Sequence, residues 1–248
     1  MSADSARPAV SLVVPCHNEA ELLPRLLDTV ERARDRFRGG RDAVEVVVAD
    51  NVSTDATAEI AAARGCRVVE VSERCIAAAR NGGAAAASGS ILAFVDADIR
   101  VHPDTFNAIE SAMRSGRFVA GATGVELERW SVGIAMTYAL MVPLVWMLRM
   151  DTGVVFCRRH DFEAVGGYDE SLRFGEDVRF LVDLRRHGRS DGRRLTRLRS
   201  VKAVACMRKF DRYGDWHYFR MAPKLSLALL IPGRRSDTLV QKYWYEDR

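Results

Sequence analysis

A largely parallel α/β sheet is the fold this chain predicts, on three observations. Short apolar runs recur along the first hundred residues, helix-length amphipathic segments separate them, and polar groups collect where the runs end. Strands joined by about ten or more helical residues imply right-handed βαβ units with helices on both sheet faces. Val10–Val14 is the first apolar run, stopped by Pro15. A helix carrying Leu22, Leu23, Leu26, Leu27 and Val30 follows, and Gly39-Gly40 breaks it. Val44–Val48 is the second strand; Thr54 or Asp55 can cap the next helix, which runs through Arg64 and ends at Gly65. Arg67–Val71 is the third strand, Ala77–Ala87 an alanine-rich helix closed by Gly89, and Ile91–Val95 the fourth strand. After His102-Pro103-Asp104 come a helix over Thr105–Met113 and a strand near Phe118–Ala122.

A chain of 248 residues can bury a full core as one large domain or two small ones. Its formal charge of +4 is mild. Basic residues gather late, in Arg185-Arg186-His187-Gly188-Arg189 and through Arg193, Arg194, Arg197 and Arg199, and suit phosphates, an anionic membrane or plain solvent. No nucleic-acid module is recognisable, so nucleic acid is not an expected partner. Five scattered cysteines without a C-x-x-C pair argue for reduced thiols in a cytosolic setting, and Met1–Ala9 lacks an apolar signal core.

Ser131–Leu148 is strongly apolar, with Arg129, Trp130 and Arg149 at its ends. It sits at the lower limit for a bilayer span, and Gly133 and Pro143 interrupt it, which favours a buried or partner-facing helix pair. A second patch, Leu225–Ile231, lies between Lys224 and Arg234-Arg235. Two apolar patches with basic flanks are compatible with peripheral membrane contact or with a homodimer.

Chemistry concentrates where Ile91–Val95 runs into Asp96-Ala97-Asp98. In extended chain, residues two apart point to the same side, so one cation can meet both carboxylates. The first strand leads into Pro15-Cys16-His17-Asn18-Glu19 and the second into Asp50-Asn51-Val52-Ser53-Thr54-Asp55. Arg74 follows the third strand, and Arg80-Asn81 lies in the next helix. A parallel sheet gathers these groups at one edge, where ligands of open α/β folds bind. A glycine-rich dinucleotide fingerprint and a Walker loop are both missing. The loop after the first strand is acidic and without glycine, which disfavours a sugar nucleotidyltransferase. Cys16 beside His17 lacks a third orienting group and is discounted as a nucleophile.

Val14-Pro15-Cys16-His17-Asn18-Glu19, Asp50-Asn51-x-Ser53-x-Asp55, Ala79-Arg80-Asn81-x-Gly83 and Phe94-x-Asp96-Ala97-Asp98 resemble the N-terminal signature of family 2 glycosyltransferases. Gly166-Gly167-Tyr168-Asp169-Glu170 and Gly175-Glu176-Asp177 resemble that family's acceptor-side motif. The resemblance covers roughly residues 9 to 190. It implies a GT-A fold: a Rossmann-like βαβ nucleotide-binding half over 9–100 and a mixed acceptor half over 101–223, in one domain. Residues 1–8 are expected to be disordered and 224–248 to form a tail. It also implies an inverting transferase that moves a sugar from a nucleotide-diphosphate donor to an acceptor hydroxyl, with Mn²⁺ or Mg²⁺.

Carried over residue by residue, Glu19 and Asp50 meet the nucleoside, Asp50 at the base. Pro15, His17, Arg74 and Arg80 line the donor site; the two arginines are candidates to approach the diphosphate, set against one of them being a plain helix-face charge. Asp96 reaches the ribose or metal shell, and Asp98 ligates the metal. Asp177 is the catalytic base with Glu176 beside it. His217 is a candidate third ligand, set against an ordinary packed histidine. His17 departs from the family pattern, so its contacts to the base can differ. UDP-sugars are the family's commonest donors. The acceptor stays open among a glycan, a lipid carrier and a small molecule, with cell-envelope polysaccharide as the implied setting. Expected localisation is cytoplasmic, peripheral at the inner membrane face. The alternative reading is a non-catalytic sugar-nucleotide-binding or membrane-assembly protein on the same fold.

Overall fold

The computed structural model describes residues 8–137, 139, 153–172, 175–216 and 219. Eight strands form one sheet: β1 (Val10–Cys16), β2 (Val44–Asp50), β3 (Arg67–Glu70), β4 (Ile91–Phe94), β5 (Ile99–Arg100), β6 (Phe118–Leu127), β7 (Val155–Arg158) and β8 (Arg194–Ala205). Their spatial order is β3-β2-β1-β4-β7-β6-β8-β5. The first four strands run parallel, as their apolar runs predict. The strand β7 then enters antiparallel to both β4 and β6, and β8 runs parallel to β6, so the second half is mixed.

Alternating strand residues feed two cores. Leu12, Val14, Val46 and Val48 pack with α1 (Leu23–Asp35) and α4 (Thr105–Arg114). Val13, Val47, Leu92 and Phe94 face the other way, toward α3 (Ile76–Ala86) and α6 (Glu176–Arg189). Short helices α2 (Thr57–Ala63), α5 (Arg159–Ala164) and α7 (Arg208–Tyr213) are also formed. A Cβ added to Gly83 in α3 would lie 2.4 Å from Cγ1 of Val13, so glycine lets this helix press flush onto β1. Gly83→Ala is therefore expected to destabilise the fold by about 1–3 kcal/mol, read as a lower urea midpoint with unchanged slope.

The second half of the sheet departs from or adds to the sequence reading in three places. The strand begun at Phe118 continues to Leu127, because β8 supplies it with a partner along most of its length. The strand β7 went unpredicted; it is four residues long and follows directly on the long apolar segment. The late basic cluster divides between α6, which carries Arg185–Arg189, and strand β8, where Arg194, Arg197, Arg199 and Lys202 are exposed and Val201 and Ala203 are buried. Residues 132–137 are helical, whereas most of 138–152 and everything from 220 lie outside the described residues, as do residues 1–7. The expectations for Leu225–Ile231, His217 and the termini fall there. Among the described residues no helix is long and apolar enough to cross a membrane.

Candidate active site

The carboxyl ends of β1, β2 and β4 meet at one edge of the sheet, in register with one another. The loops that leave these strands are stitched together. Asn18, at φ 53°, accepts the Thr54 N–H through Oδ1 at 2.8 Å, and Ser53 Oγ accepts the Asn18 N–H at 3.0 Å. Thr57 Oγ1 accepts the Glu19 N–H at 2.9 Å, and the Asp55 carboxylate accepts N–H groups from Ala20 and Thr57. Ser53 and Asp55 of the second motif thus fix the loop of the first. Asn51 extends the lattice by donating through Nδ2 to the carbonyls of Val71 and Glu73. Pro15 lies within β1, paired with Ala49.

His17 lies between the carbonyl of Asn51, 2.8 Å from Nδ1, and Arg74 Nη2, 3.0 Å from Nε2. A carbonyl needs a donor and a guanidinium can only donate, so this pair of partners selects the neutral tautomer protonated at Nδ1. Asp50 is 8% exposed, and its Oδ1 has no hydrogen-bond partner among the described residues. A buried carboxylate oxygen left unpaired is costly and is poised for an N–H donor from a ligand. Glu19 turns inward, 3% exposed, and is met by both terminal nitrogens of Arg208 at 3.1 and 3.2 Å. Burial opposes the charge of Arg208, but Glu19 and Asp98 hold its pKa above the ordinary value.

Arg80 organises the opposite wall. Its guanidinium is buried and lies 2.9 Å from each of Asp96, Glu176 and Asp177. The Tyr168 ring centroid is 5.1 Å from its Cζ. The sequence leaves Arg80 open between a diphosphate contact and a helix-face charge; here it is buried and three carboxylates bind it, holding its pKa well above normal against desolvation. The neighbouring Asn81 clamps the second half of the chain. Its Oδ1 accepts the Tyr168 N–H at 2.9 Å, and its Nδ2 donates to the Tyr168 carbonyl at 2.9 Å and to Glu170 at 2.7 Å. Gly167, at φ 74°, lets this clamp close, since a Cβ there would stand 2.7 Å from Asn81 Oδ1.

Asp177 occupies the first turn of α6 and is raised to a pKa of about 6. Desolvation is the largest cause, and the charges of Asp96 and Glu176 add to it; Arg80 opposes them. Such a group is ionised at neutral pH yet close enough to it to accept a proton, which suits a general base.

Asp96 and Asp98 lie in the turn after β4. Two partly exposed carboxylates at a sheet edge are hard oxygen donors, the set Mg²⁺ or Mn²⁺ takes when phosphates supply the remaining ligands, so the residues present fit a divalent ion. Among the described residues no group of three or more histidine, cysteine or acidic side chains forms a metal cage. His217 lies outside them. Sequence reading missed Arg208, whose position 189 residues beyond Glu19 left no local signal.

The sequence model described as glycosyl transferase family 2 matches residues 11–137. Validoxylamine A glucosyltransferase of Streptomyces hygroscopicus subsp. jinggangensis is 34% identical over 117 residues, covering 44% of this chain and 26% of that protein. Glycosyltransferase AglE of Haloferax volcanii is 33% identical over 129 residues, covering 50% and 39%. The chain thus spans well under half the length of these curated relatives. Among solved structures, glucosyl-3-phosphoglycerate synthase from Mycobacterium tuberculosis, crystallised with Mn²⁺ and UDP-glucose, superposes with a TM-score of 0.62. That match has 21% identity and covers 92% of this chain and 81% of the other. The shared fold is GT-A.

Proposed function

The chain belongs to glycosyl transferase family 2, and on that premise we propose that it transfers a sugar from a nucleoside-diphosphate sugar to an acceptor hydroxyl. The observation that carries this reading is the Arg80 hub, which holds Asp96 on the metal side and Asp177 on the acceptor side within one guanidinium's span. A donor bound there has its leaving group beside one carboxylate and its anomeric carbon toward the other. The similar M. tuberculosis synthase was crystallised with Mn²⁺ and UDP-glucose, and the unpaired Oδ1 of Asp50 can accept the imide N–H of a uracil, so UDP-sugars are the first candidates. We read residues 9–223 as one catalytic domain, a view supported by the single sheet that spans both halves.

Asp98 and Asp96 would hold the divalent ion, which when bound neutralises charge developing on the departing diphosphate. Asp177 accepts the proton of the acceptor hydroxyl as that oxygen attacks the anomeric carbon. One displacement inverts the centre. Glu176 shares the guanidinium with Asp177 and holds it in place. The turn at Gly166-Gly167 and Tyr168 is tied to α3 by Asn81, so the acceptor wall moves with the donor wall.

The direct test is titration of the protein with UDP, GDP and CDP, each with and without Mn²⁺. Metal-dependent binding of one nucleotide is expected; no binding by any would remove the donor reading and leave family and fold. The hub also sets a pH dependence. The transfer rate is expected to rise with pH through a limb near the pKa of about 6 at Asp177. Arg80 lowers that value, so Arg80→Gln moves the limb to higher pH whereas Arg80→Lys, which keeps the charge, holds it nearer the original. A limb that stays put in Arg80→Gln would separate the rate from Asp177 ionisation.

A further inference from the structure

Tyr168 carries a hydroxyl with no part so far in the donor or acceptor chemistry. Its ring is 2% exposed and packs with Phe94 of β4, Phe162 of α5 and Phe180 of α6. The Phe180 ring stacks on it with centroids 4.1 Å apart, and the Phe94 ring meets it edge on at 5.1 Å. Three of these four rings are plain phenyl groups, and packing alone would be served by a fourth. The Tyr168 hydroxyl oxygen is instead sealed from solvent, with no partner in hydrogen-bond geometry among the described residues. Buried polar groups are nearly always paired, and an unpaired one costs stability, so this oxygen calls for a use.

Its neighbours place it at Asp177. Phe180, on which the ring stacks, stands three residues after Asp177, about one turn along the same face of α6. Arg80, whose Cζ lies 5.1 Å from the ring centroid, reaches Asp177 at 2.9 Å. The mounting is rigid, because Asn81 grips both the N–H and the carbonyl of Tyr168. Four groups face the Asp177 carboxyl: Arg80 from α3, Asp96 from the turn after β4, Glu176 from its own helix, and Tyr168. Burial, then Asp96 and Glu176, raise its pKa; Arg80 and, more weakly, the Tyr168 hydroxyl lower it. Hydrogen bonds of catalytic groups are often long without substrate and tighten when it binds.

We propose that Tyr168 is a positioning residue for the base, its hydroxyl donating to the Asp177 carboxylate and fixing its orientation toward the acceptor. The inference rests on the reading of Asp177 as base and adds the group that aims it. Arg80 engages Oδ1 of Asp177 and can only donate, whereas a phenol both donates and accepts. While Asp177 is ionised, the Tyr168 O–H points at the carboxylate. When the acceptor's proton arrives and the carboxylate becomes an acid, the same phenol oxygen can accept from it. Tyr168 keeps its own proton throughout, since burial holds its pKa well above the ordinary value. Sealed from solvent, the hydroxyl acts through Asp177 and not on the acceptor directly.

The test is Tyr168→Phe, which keeps the ring and its stacking and removes one oxygen. Asp177 is titrated in the full chain by carboxyl ¹³C NMR, with Asp177→Asn identifying its resonance. UDP release from UDP-glucose in Mn²⁺, with water as acceptor, gives the rate. A hydrogen bond to the ionised form lowers a carboxyl pKa, so its loss moves the titration up. Tyr168→Phe is expected to raise the Asp177 midpoint by about one unit, the equivalent of one lost hydrogen bond to a charged group. It is expected to slow UDP release about tenfold even at the high-pH plateau, with UDP affinity and thermal unfolding unchanged. In the Asp177→Asn background the same substitution changes nothing further. An unmoved midpoint, an unslowed plateau, or slowing that persists in the Asp177→Asn background overturns the proposal and leaves the base reading standing. Full UDP release by Asp177→Asn overturns the base reading and the positioning role with it. The titration requires no donor, so it decides the contact even where UDP-glucose is the wrong sugar nucleotide.

Discussion

Asp177→Asn is expected to lower sugar transfer by about a hundredfold or more while leaving nucleotide affinity intact. The amide is close to isosteric and still accepts a hydrogen bond from Arg80 through its oxygen, so the wall keeps its shape. What disappears is the carboxylate that, in the mechanism proposed above, accepts the hydroxyl proton. With the carboxylate gone, the acids left at the hub are Asp96 and Glu176, and Arg80 already holds both. The loss should appear in kcat with little change in donor binding, measured by turnover alongside UDP titration. Undiminished turnover would move the base to another residue.

Asp98→Ala should remove metal-dependent nucleotide binding altogether. Asp96 shares its carboxylate with Arg80, so it cannot compensate as a full ligand. Asp98 also contributes to the charge on Arg208, so its loss leaves Glu19 as that guanidinium's main partner and the fold edge intact. The expected isotherm in Mn²⁺ then coincides with the metal-free one. Retained metal dependence would transfer the ion to ligands outside this pair.

The first half of the fold was legible because its strands are covered on both faces. Ile91–Val95 is a continuous apolar run, and Val10–Val14 and Val44–Val48 are each broken by a single polar residue, Ser11 and Glu45. The strand β8 was hidden for the opposite reason: one face is wet, so arginines alternate irregularly with Leu195, Leu198 and Val201 and mimic a charged surface. In the site, residue types at strand ends were legible, since a parallel sheet must bring them to one edge. Their partners were not. Arg80 reaches Glu176 across 96 residues and Asn81 reaches Tyr168 across 87, and no spacing in one sequence encodes such pairs. Asp55, read from sequence as a capping residue, and Ser53 serve as struts for the neighbouring loop.

The insertion of β7 between β4 and β6 has a consequence for biosynthesis. Ile91–Phe94 is synthesised more than sixty residues before Val155–Arg158, which closes its free side. Until then the nascent sheet carries an open, apolar margin of unmade backbone hydrogen bonds, the kind that templates aggregation. Truncation at residue 137, where the family match ends, would make that transient permanent. Such a fragment should precipitate or bind chaperones, whereas extending it through β7 and β8 should restore solubility. The boundary of a recognisable motif and the boundary of a foldable unit are here different places on the chain.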